Sequence, residues 1–423
     1  MKYFEYKESS LYCEDVNLAE LPEEFGTPLY VYSRNQLVDN FRAIDQTLAG
    51  TDHVTCYALK ANSNPFLLKT LSEEGAGADV VSAGEIAMAL KAGFDPDRIA
   101  FAGVGKRAEE MEYALKAGIF CFNVESIQEL QQLSLVALRA ERKARVAIRI
   151  NPNINAESHP YISTGLREHK FGIEAGKAVE AFQFAAGLTN LEVIGLHMHI
   201  GSQILKPEPY QAAVEFAANQ VRQLRSMGIQ ISHLDLGGGF GVRYVNALAH
   251  ESLPVEAEEN TDIRSPADIL ANLRPLIEET GCTLWLEPGR SIVADAGVLL
   301  TKVLYTKENG SKKFVVVDAG MNDLIRPSLY DAYHQIVPLR IETYEHDTVD
   351  VVGPVCETGD FFARNRRMPK AKQGDVLAIL TTGAYGFVST SNYNARLQPA
   401  EVLVNGDKVR VIRPRQTIEQ LIQ

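Results

Sequence analysis

The chain has few cysteines, no surplus of basic charge and no long apolar run, and each shortage removes a class of protein. Its 423 residues include five cysteines, Cys13, Cys56, Cys121, Cys282 and Cys356, odd in number and without a CxxC pair. That pattern is neither a disulfide framework nor a zinc site, and it suits a reducing compartment. Lysine and arginine total 42 against 54 aspartate and glutamate, a net charge of −12. This argues against nucleic acid or an anionic membrane as the main partner. No stretch approaches the ~18 apolar residues of a membrane span, and the opening MKYFEYKESS lacks the apolar centre of a signal peptide. A cytoplasmic location is the expectation. What is present is a globular composition, 46% hydrophobic and 23% charged, at a length that suggests two domains.

Between residues 54 and 290 one theme repeats: a short β-rich run, a polar or glycine-marked end, then a helical stretch. The strand candidates are 54–59, 78–82, 99–102, 120–124, 145–150, 193–199, 233–236 and 283–286. Stretches 65–75, 83–92, 106–117, 126–138 and 210–227 between them carry helical apolar spacing, and several end at glycine. Strands alternating with helices predict a parallel sheet, and eight of them predict a (β/α)8 barrel. From about residue 296 the pattern changes to strands without long helices: 298–305, 313–317, 336–342 and 376–380. A hairpin is predicted over 401–412, where Asn405-Gly406 supplies turn conformations. The expected organisation is a barrel over 34–292 and a mostly β domain, a sandwich or barrel, built from 1–33 with 293–423. A long acidic connection, 245–262, interrupts the barrel after strand seven; loops of that length are lids, contacts or disordered.

The residues that follow each strand carry the chemistry. Lys60 stands at the carboxyl end of the first strand, the end where active sites collect in a parallel barrel. Taken alone, such a lysine is a solvated charge. Strand two ends Asp79-Val80-Val81-Ser82, where Ser82 reads as an ordinary helix N-cap. Strand six ends His197-Met198-His199-Ile200-Gly201-Ser202. Alternation puts His197 and His199 on one side, but no HExxH or acidic cluster accompanies them in sequence, so a metal is not expected. Strand seven is followed by Gly237-Gly238-Gly239-Phe240-Gly241, and strand eight by Glu287-Pro288-Gly289-Arg290. Loops after strands seven and eight are favoured phosphate sites in such barrels, and glycines let backbone N–H groups surround an anion. A lysine, a histidine to stack on a flat ring, Ser202 with a phosphate-cradling loop, and a carboxylate at one barrel mouth answer the requirements of pyridoxal 5′-phosphate.

YALKAN (57–62), HMHIGS (197–202), GGGFG (237–241) and EPGR (287–290), in this order, resemble the fold-type III pyridoxal phosphate decarboxylases. That group contains ornithine, arginine and diaminopimelate decarboxylases, with alanine racemase a more distant relative. HPYISTG (159–165), GMNDLIRPSLY (320–330), GPVCETGD (353–360) and SNYN (391–394) narrow the resemblance to the diaminopimelate branch, over nearly the whole chain. The resemblance implies that Lys60 carries the cofactor, His199 stacks on its ring and Glu287 pairs with the ring nitrogen. It implies a cofactor shell of Asp79, Ser202, Gly238, Gly239, Gly289, Arg290 and Tyr385. Arg290, Arg326, Tyr330 and Tyr385 are implied to meet the substrate, its distal carboxylate above all, with Glu357 near its distal amino group. Cys356 and Glu357 are implied to enter from a second subunit, making a homodimer with shared active sites. Residues 387–390, Phe-Val-Ser-Thr, depart from the methionine or alanine common in the family at that place, and touch no implied catalytic group.

The implied reaction is decarboxylation of meso-2,6-diaminopimelate at its D-configured centre to L-lysine and CO2, the last step of lysine biosynthesis. Either Cys356 or Lys60 is implied to return the proton to Cα. Two other readings remain. One is a related decarboxylase acting on ornithine, arginine or a carrier-bound glutamyl group. The other is a non-catalytic binder, which predicts loss of Lys60 or Cys356; both are present.

Overall fold

The structure of the protein is a computed structural model, and it describes residues 1–154, 170–257 and 263–423. The HPYISTG segment therefore lies outside the described residues. Contacts divide the chain into two compact units, Asn40–Val242 with Asp262–Ser291, and Met1–Asp39 with Arg243–Thr261 and Ile292–Gln423.

Eight parallel strands of the first unit form a ring: β1 (His53–Ala58), β2 (Gly77–Val80), β3 (Ile99–Phe101), β4 (Cys121–Val124), β5 (Ala144–Asn151), β6 (Leu191–His197), β7 (His233–Asp235) and β8 (Thr283–Leu286), with the two-residue strand Ile173–Glu174 added in parallel on β5. Each ring strand pairs in parallel with the one before it, and β8 returns to β1, closing the barrel. The strands are buried along most of their length, as expected where helices cover a parallel sheet. Phe120 stacks on Trp285 at 4.4 Å, and Cys56, Ala100 and Cys121 pack with them. Two of the cysteines thus serve as core, and burial pushes both thiols well above their usual range.

The helices start and stop on local chemistry. Asn64 accepts from Phe66 N–H ahead of helix Pro65–Glu73, with proline at its first turn. Ser82 caps Ala83–Ala92 by accepting from Glu85 N–H at 3.2 Å, the N-cap role expected of it. Gly93 and Gly118 end their helices in the left-handed region.

The other unit is mostly β. A three-stranded antiparallel sheet, Phe4–Lys7, Ser10–Cys13 and Val16–Asn17, opens it. A nine-stranded sheet branches about the long strand Gly297–Asn309. Gly297–Leu300 pairs with Leu29–Ser33 on one side, while Leu299–Lys302 pairs with Val376–Ile379 on the other. Beyond Val303 the same strand pairs with Lys312–Val317. The hairpin forms between Ala400–Asn405 and Lys408–Arg413. Its two-residue loop is Gly406-Asp407, one position later than expected, because Asn405 pairs with Lys408 and Gly406 takes φ +64°. The described part of the 245–262 connection groups with this unit rather than with the barrel. Leu248 and Leu253 join its core, and Leu248 exchanges two backbone hydrogen bonds with the Gln335 side chain.

Candidate active site

Lys60 sits in a single 3-10 turn, Leu59–Ala61, that replaces the last residue expected of β1. Its Nζ donates to Asp79 Oδ2 at 2.6 Å from the adjacent strand β2. The Lys60 side chain is 37% exposed and that of Asp79 is wholly buried. Burial and the nearby Glu287 charge push the Asp79 carboxyl above its ordinary range, while the Lys60 ammonium pulls it back. Asp79 Oδ1 is buried without a hydrogen-bond partner among the described residues.

Four buried groups meet across strands β4, β6, β7 and the end of β8. Asn123 Nδ2 donates to Asp235 Oδ2 and to Glu287 Oε1, each at 3.1 Å. His197 Nε2 lies 3.4 Å from Glu287 Oε2. Two buried carboxylates this close cannot both ionise cheaply, and their shifts diverge. Burial and the Glu287 charge raise Asp235 well above the usual range. For Glu287 burial acts upward, but the His197 ring and the Lys60 ammonium outweigh it and hold the carboxyl below its usual range. The pair therefore keeps its proton on Asp235 and its negative charge on Glu287. His197, Asp235 and Glu287 place ligand atoms within 4.8 Å of one another, a spatial cluster that chain spacing does not display.

β6 ends at His197, and His199 follows it in the connecting segment, where the same Glu287 and Lys60 charges act on it. Its Nδ1 accepts from Gly238 N–H at 3.1 Å. Burial, with Arg149 and Lys60 nearby, drives its pKa well below the usual range, so the ring is neutral with Nδ1 as acceptor. Asp235 Oδ1 accepts from Gly237 N–H at 2.8 Å, tying the carboxylate pair to the same glycine turn.

The glycines are required by close backbone packing. A Cβ at Gly238 would lie 2.1 Å from Glu287 O, and one at Gly239, with φ +92°, would lie 2.3 Å from Gly201 O. The loops after β6, β7 and β8 are thereby pressed together. Tyr210 Oη donates to Gly238 O at 3.0 Å and stacks on Phe240, holding the turn from helix Glu208–Ser226. Ser202 Oγ accepts from Arg290 Nη2 at 3.0 Å. Gly289 packs within 3.0 Å, measured from an added Cβ, of Ala61 Cβ beside Lys60. Lys60, Asp79, His199, Ser202, Gly238, Gly239, Glu287, Gly289 and Arg290 thus lie at the carboxyl ends of the barrel strands or in the loops that follow them. Asn123, Asp235 and Tyr210 complete the arrangement and were not expected; the visible signal was a polar residue inside each of two apolar strands.

The remaining expected residues belong to the mostly β unit. Arg326 and Tyr330 begin and end the short helix Arg326–Tyr330; Arg326 is buried and Tyr330 half-buried. Ser328 Oγ donates to Gly359 O, joining that helix to the turn that carries Cys356 and Glu357. Cys356 is exposed, and its N–H donates to Asn394 Oδ1 at 2.8 Å. Asp360 accepts from Met321 and Val355 N–H groups, both at 2.6 Å. The GMNDLIRPSLY, GPVCETGD and SNYN segments are therefore hydrogen-bonded into one cluster. Glu357 Oε1 accepts from Gly359 N–H, and Tyr385 takes φ +56°.

Residues 34–294 match the family model described as pyridoxal-dependent decarboxylase, pyridoxal binding domain. The diaminopimelate decarboxylase of Aquifex aeolicus is 46% identical over 421 residues, covering 100% of this chain and 97% of the relative. That of Pseudomonas aeruginosa is 47% identical, covering 100% and 98%. The crystal structure of Helicobacter pylori diaminopimelate decarboxylase complexed with L-lysine matches with a TM-score of 0.89 at 44% identity, over 96% of this chain and 98% of that one. A lysine decarboxylase from Selenomonas ruminantium, 24% identical with a TM-score of 0.79, shares the fold. Likeness of this extent, over a barrel whose strand ends carry Lys60, His199 and Glu287, means that the chain belongs to the pyridoxal-dependent decarboxylase family, in its diaminopimelate decarboxylase branch.

Proposed function

We propose that the chain uses pyridoxal 5′-phosphate to decarboxylate meso-2,6-diaminopimelate at its D-configured centre, giving L-lysine and CO2. The observation that carries this reading is the full-length likeness to diaminopimelate decarboxylases. The site supports it. Glu287 is ionised, His199 is neutral, Asp79 Oδ1 is buried and unpartnered, and the glycine turn leaves no room for side chains. That donor set fits a phosphorylated pyridinium ring. Lys60 would hold it covalently, His199 would stack on it and Glu287 would keep its nitrogen protonated. Ser202, Arg290, Tyr385 and the Gly238-Gly239 backbone would take its phosphate. When bound, the cofactor supplies an electron-withdrawing ring for the electron pair released with CO2.

The chain's own residues do the rest. Asp79 would receive the Lys60 ammonium once the substrate amine has released that lysine. Arg326, with Arg290 and Tyr330, holds the distal carboxylate, and Glu357 accepts from the distal ammonium. A buried arginine left without that carboxylate costs about 1–3 kcal/mol, or roughly tenfold to hundredfold against ornithine-like substrates. That burial favours diaminopimelate over substrates lacking the second carboxylate. Cys356 Sγ or Lys60 Nζ returns a proton to Cα. The exposure of Cys356 favours its action in a homodimer across a subunit boundary, and five free cysteines suit a cytoplasmic enzyme.

The test is direct. Purified protein with added pyridoxal phosphate should form lysine and CO2 in equal amounts from meso-diaminopimelate, and far more slowly from ornithine or arginine. No lysine from diaminopimelate, or faster turnover of ornithine, defeats the assignment.

A further inference from the structure

Arg326 does not reach its position unaided. Its Nη1 lies 2.9 Å from His334 Nε2, and its guanidinium sits over the Tyr244 ring at 4.8 Å. Tyr244 and His334 meet edge to face, with ring centroids 5.2 Å apart and an interplanar angle of 81°. His334 is fully buried, and its Nδ1 lies 2.8 Å from Leu380 O.

The hydrogen-bonding roles around His334 are forced by its partners. A carbonyl oxygen only accepts, so Nδ1 carries the proton and donates to Leu380 O. A guanidinium only donates, so Nε2 is an acceptor for Arg326 Nη1. His334 therefore stands as the neutral Nδ1–H tautomer, since an imidazolium would set N–H against N–H. The ring itself is fixed by its own backbone, because Arg366 Nη1 donates to His334 O at 2.8 Å and its guanidinium lies 3.7 Å from the Tyr333 ring. One face and one edge of the Arg326 guanidinium are thus occupied by protein, and its direction is set.

We infer that His334, assisted by Tyr244, is a positioning residue that aims Arg326 and so sets selectivity for a substrate bearing a carboxylate at its far end. The inference rests on the reading of Arg326 as the distal-carboxylate ligand. His334 touches no substrate; it acts through Arg326. A side chain without an acceptor at this point leaves a buried charged N–H unsatisfied, and the guanidinium swings to find another partner. A glutamine keeps one donor and one acceptor and restores part of the aim.

The experiment compares holoenzymes of wild type, His334→Leu, His334→Gln, Arg326→Ala and the His334→Leu/Arg326→Ala double variant. KM and kcat are measured with meso-diaminopimelate. Binding of L-lysine, which keeps the distal carboxylate, is compared with that of 1,5-diaminopentane, which lacks it. His334→Leu should raise KM about tenfold, ~1.4 kcal/mol, with kcat changed less than about twofold. L-lysine should weaken to the same degree and 1,5-diaminopentane should not. His334→Gln should recover most of the loss. In the Arg326→Ala background, His334→Leu should add nothing. Equal weakening of both ligands, or full additivity with Arg326→Ala, overturns the inference. If His334→Leu does not fold, Tyr244→Leu takes its place, with the same selective loss expected and the same outcomes fatal. An unchanged KM in Arg326→Ala identifies a different failure, that of the distal-carboxylate reading, and the inference falls with it.

Discussion

The Lys60 side chain keeps a third of its surface while Asp79, 2.6 Å away, has none. One partner of the pair reaches solvent and the other is walled in, which suits a lysine that must exchange places with a substrate amine. Lys60→Ala is expected to abolish turnover and visible-range absorption of the loaded protein, and retained absorption at wild-type strength would show another attachment point. Asp323 offers a pH test in the other unit. Burial pushes its carboxyl up to about 7, against the pull of the Gly320 N–H bond. In an unfolded chain it titrates near ~4. The folded state therefore keeps a proton that the unfolded state releases. Its contribution to stability is whole below about pH 4 and is lost as pH rises through about 7. Asp323→Asn, neutral throughout, should gain Tm relative to wild type between pH 5 and pH 8. A gap that does not change between the two would show that Asp323 does not titrate on unfolding. Residues of this kind were hidden in the chain. Asn123 and Asp235 join Glu287 only when strands β4, β7 and β8 are brought round one barrel, and Tyr244 meets Arg326 only across 82 positions. By contrast the positions of Lys60, His199 and Glu287, just past the ends of barrel strands, were legible, because a polar residue following an apolar strand needs a reason.

At the scale of elements, the turn after β7 carries the tightest geometry. An added methyl at Gly239 meets Gly201 O at 2.3 Å and imposes strain at φ +92°. Gly239→Ala should cost about 1–3 kcal/mol in denaturant unfolding and weaken pyridoxal phosphate binding at least tenfold. A wild-type midpoint with wild-type affinity would show that the loop after β6 gives way freely. The eight barrel strands were readable because most are largely apolar and buried, and each is followed by a turn or helix signal. His346–Val352 and Phe361–Pro369 were not, since Asp347 and the buried Asp350 in HDTVDVV and three arginines in FFARNRRMP mask the strand period. The 245–262 connection stood open between lid, contact and disorder because its anchors, Leu248 and Leu253, are two residues in a largely polar stretch.

For the whole molecule, the proposed homodimer makes a prediction that single chains cannot meet. Lys60→Ala and Cys356→Ala subunits, each inactive alone, should recover some activity when mixed, because half of the mixed sites carry both native residues. No recovery after verified subunit exchange would place Cys356 and Lys60 on the same chain's site. The mostly β unit has a feature with another bearing. Leu29–Ser33 lies inside its sheet between Gly297–Asn309 and Ala400–Asn405, so both neighbours of an early strand are synthesised hundreds of residues after it. On the ribosome that strand emerges with both hydrogen-bonding edges open, and it waits while the whole barrel is translated. The barrel can close once β8 has appeared, but this sheet cannot. A nascent chain halted shortly before residue 400 would present an unpaired apolar strand edge, a natural target for chaperones and, without them, for aggregation.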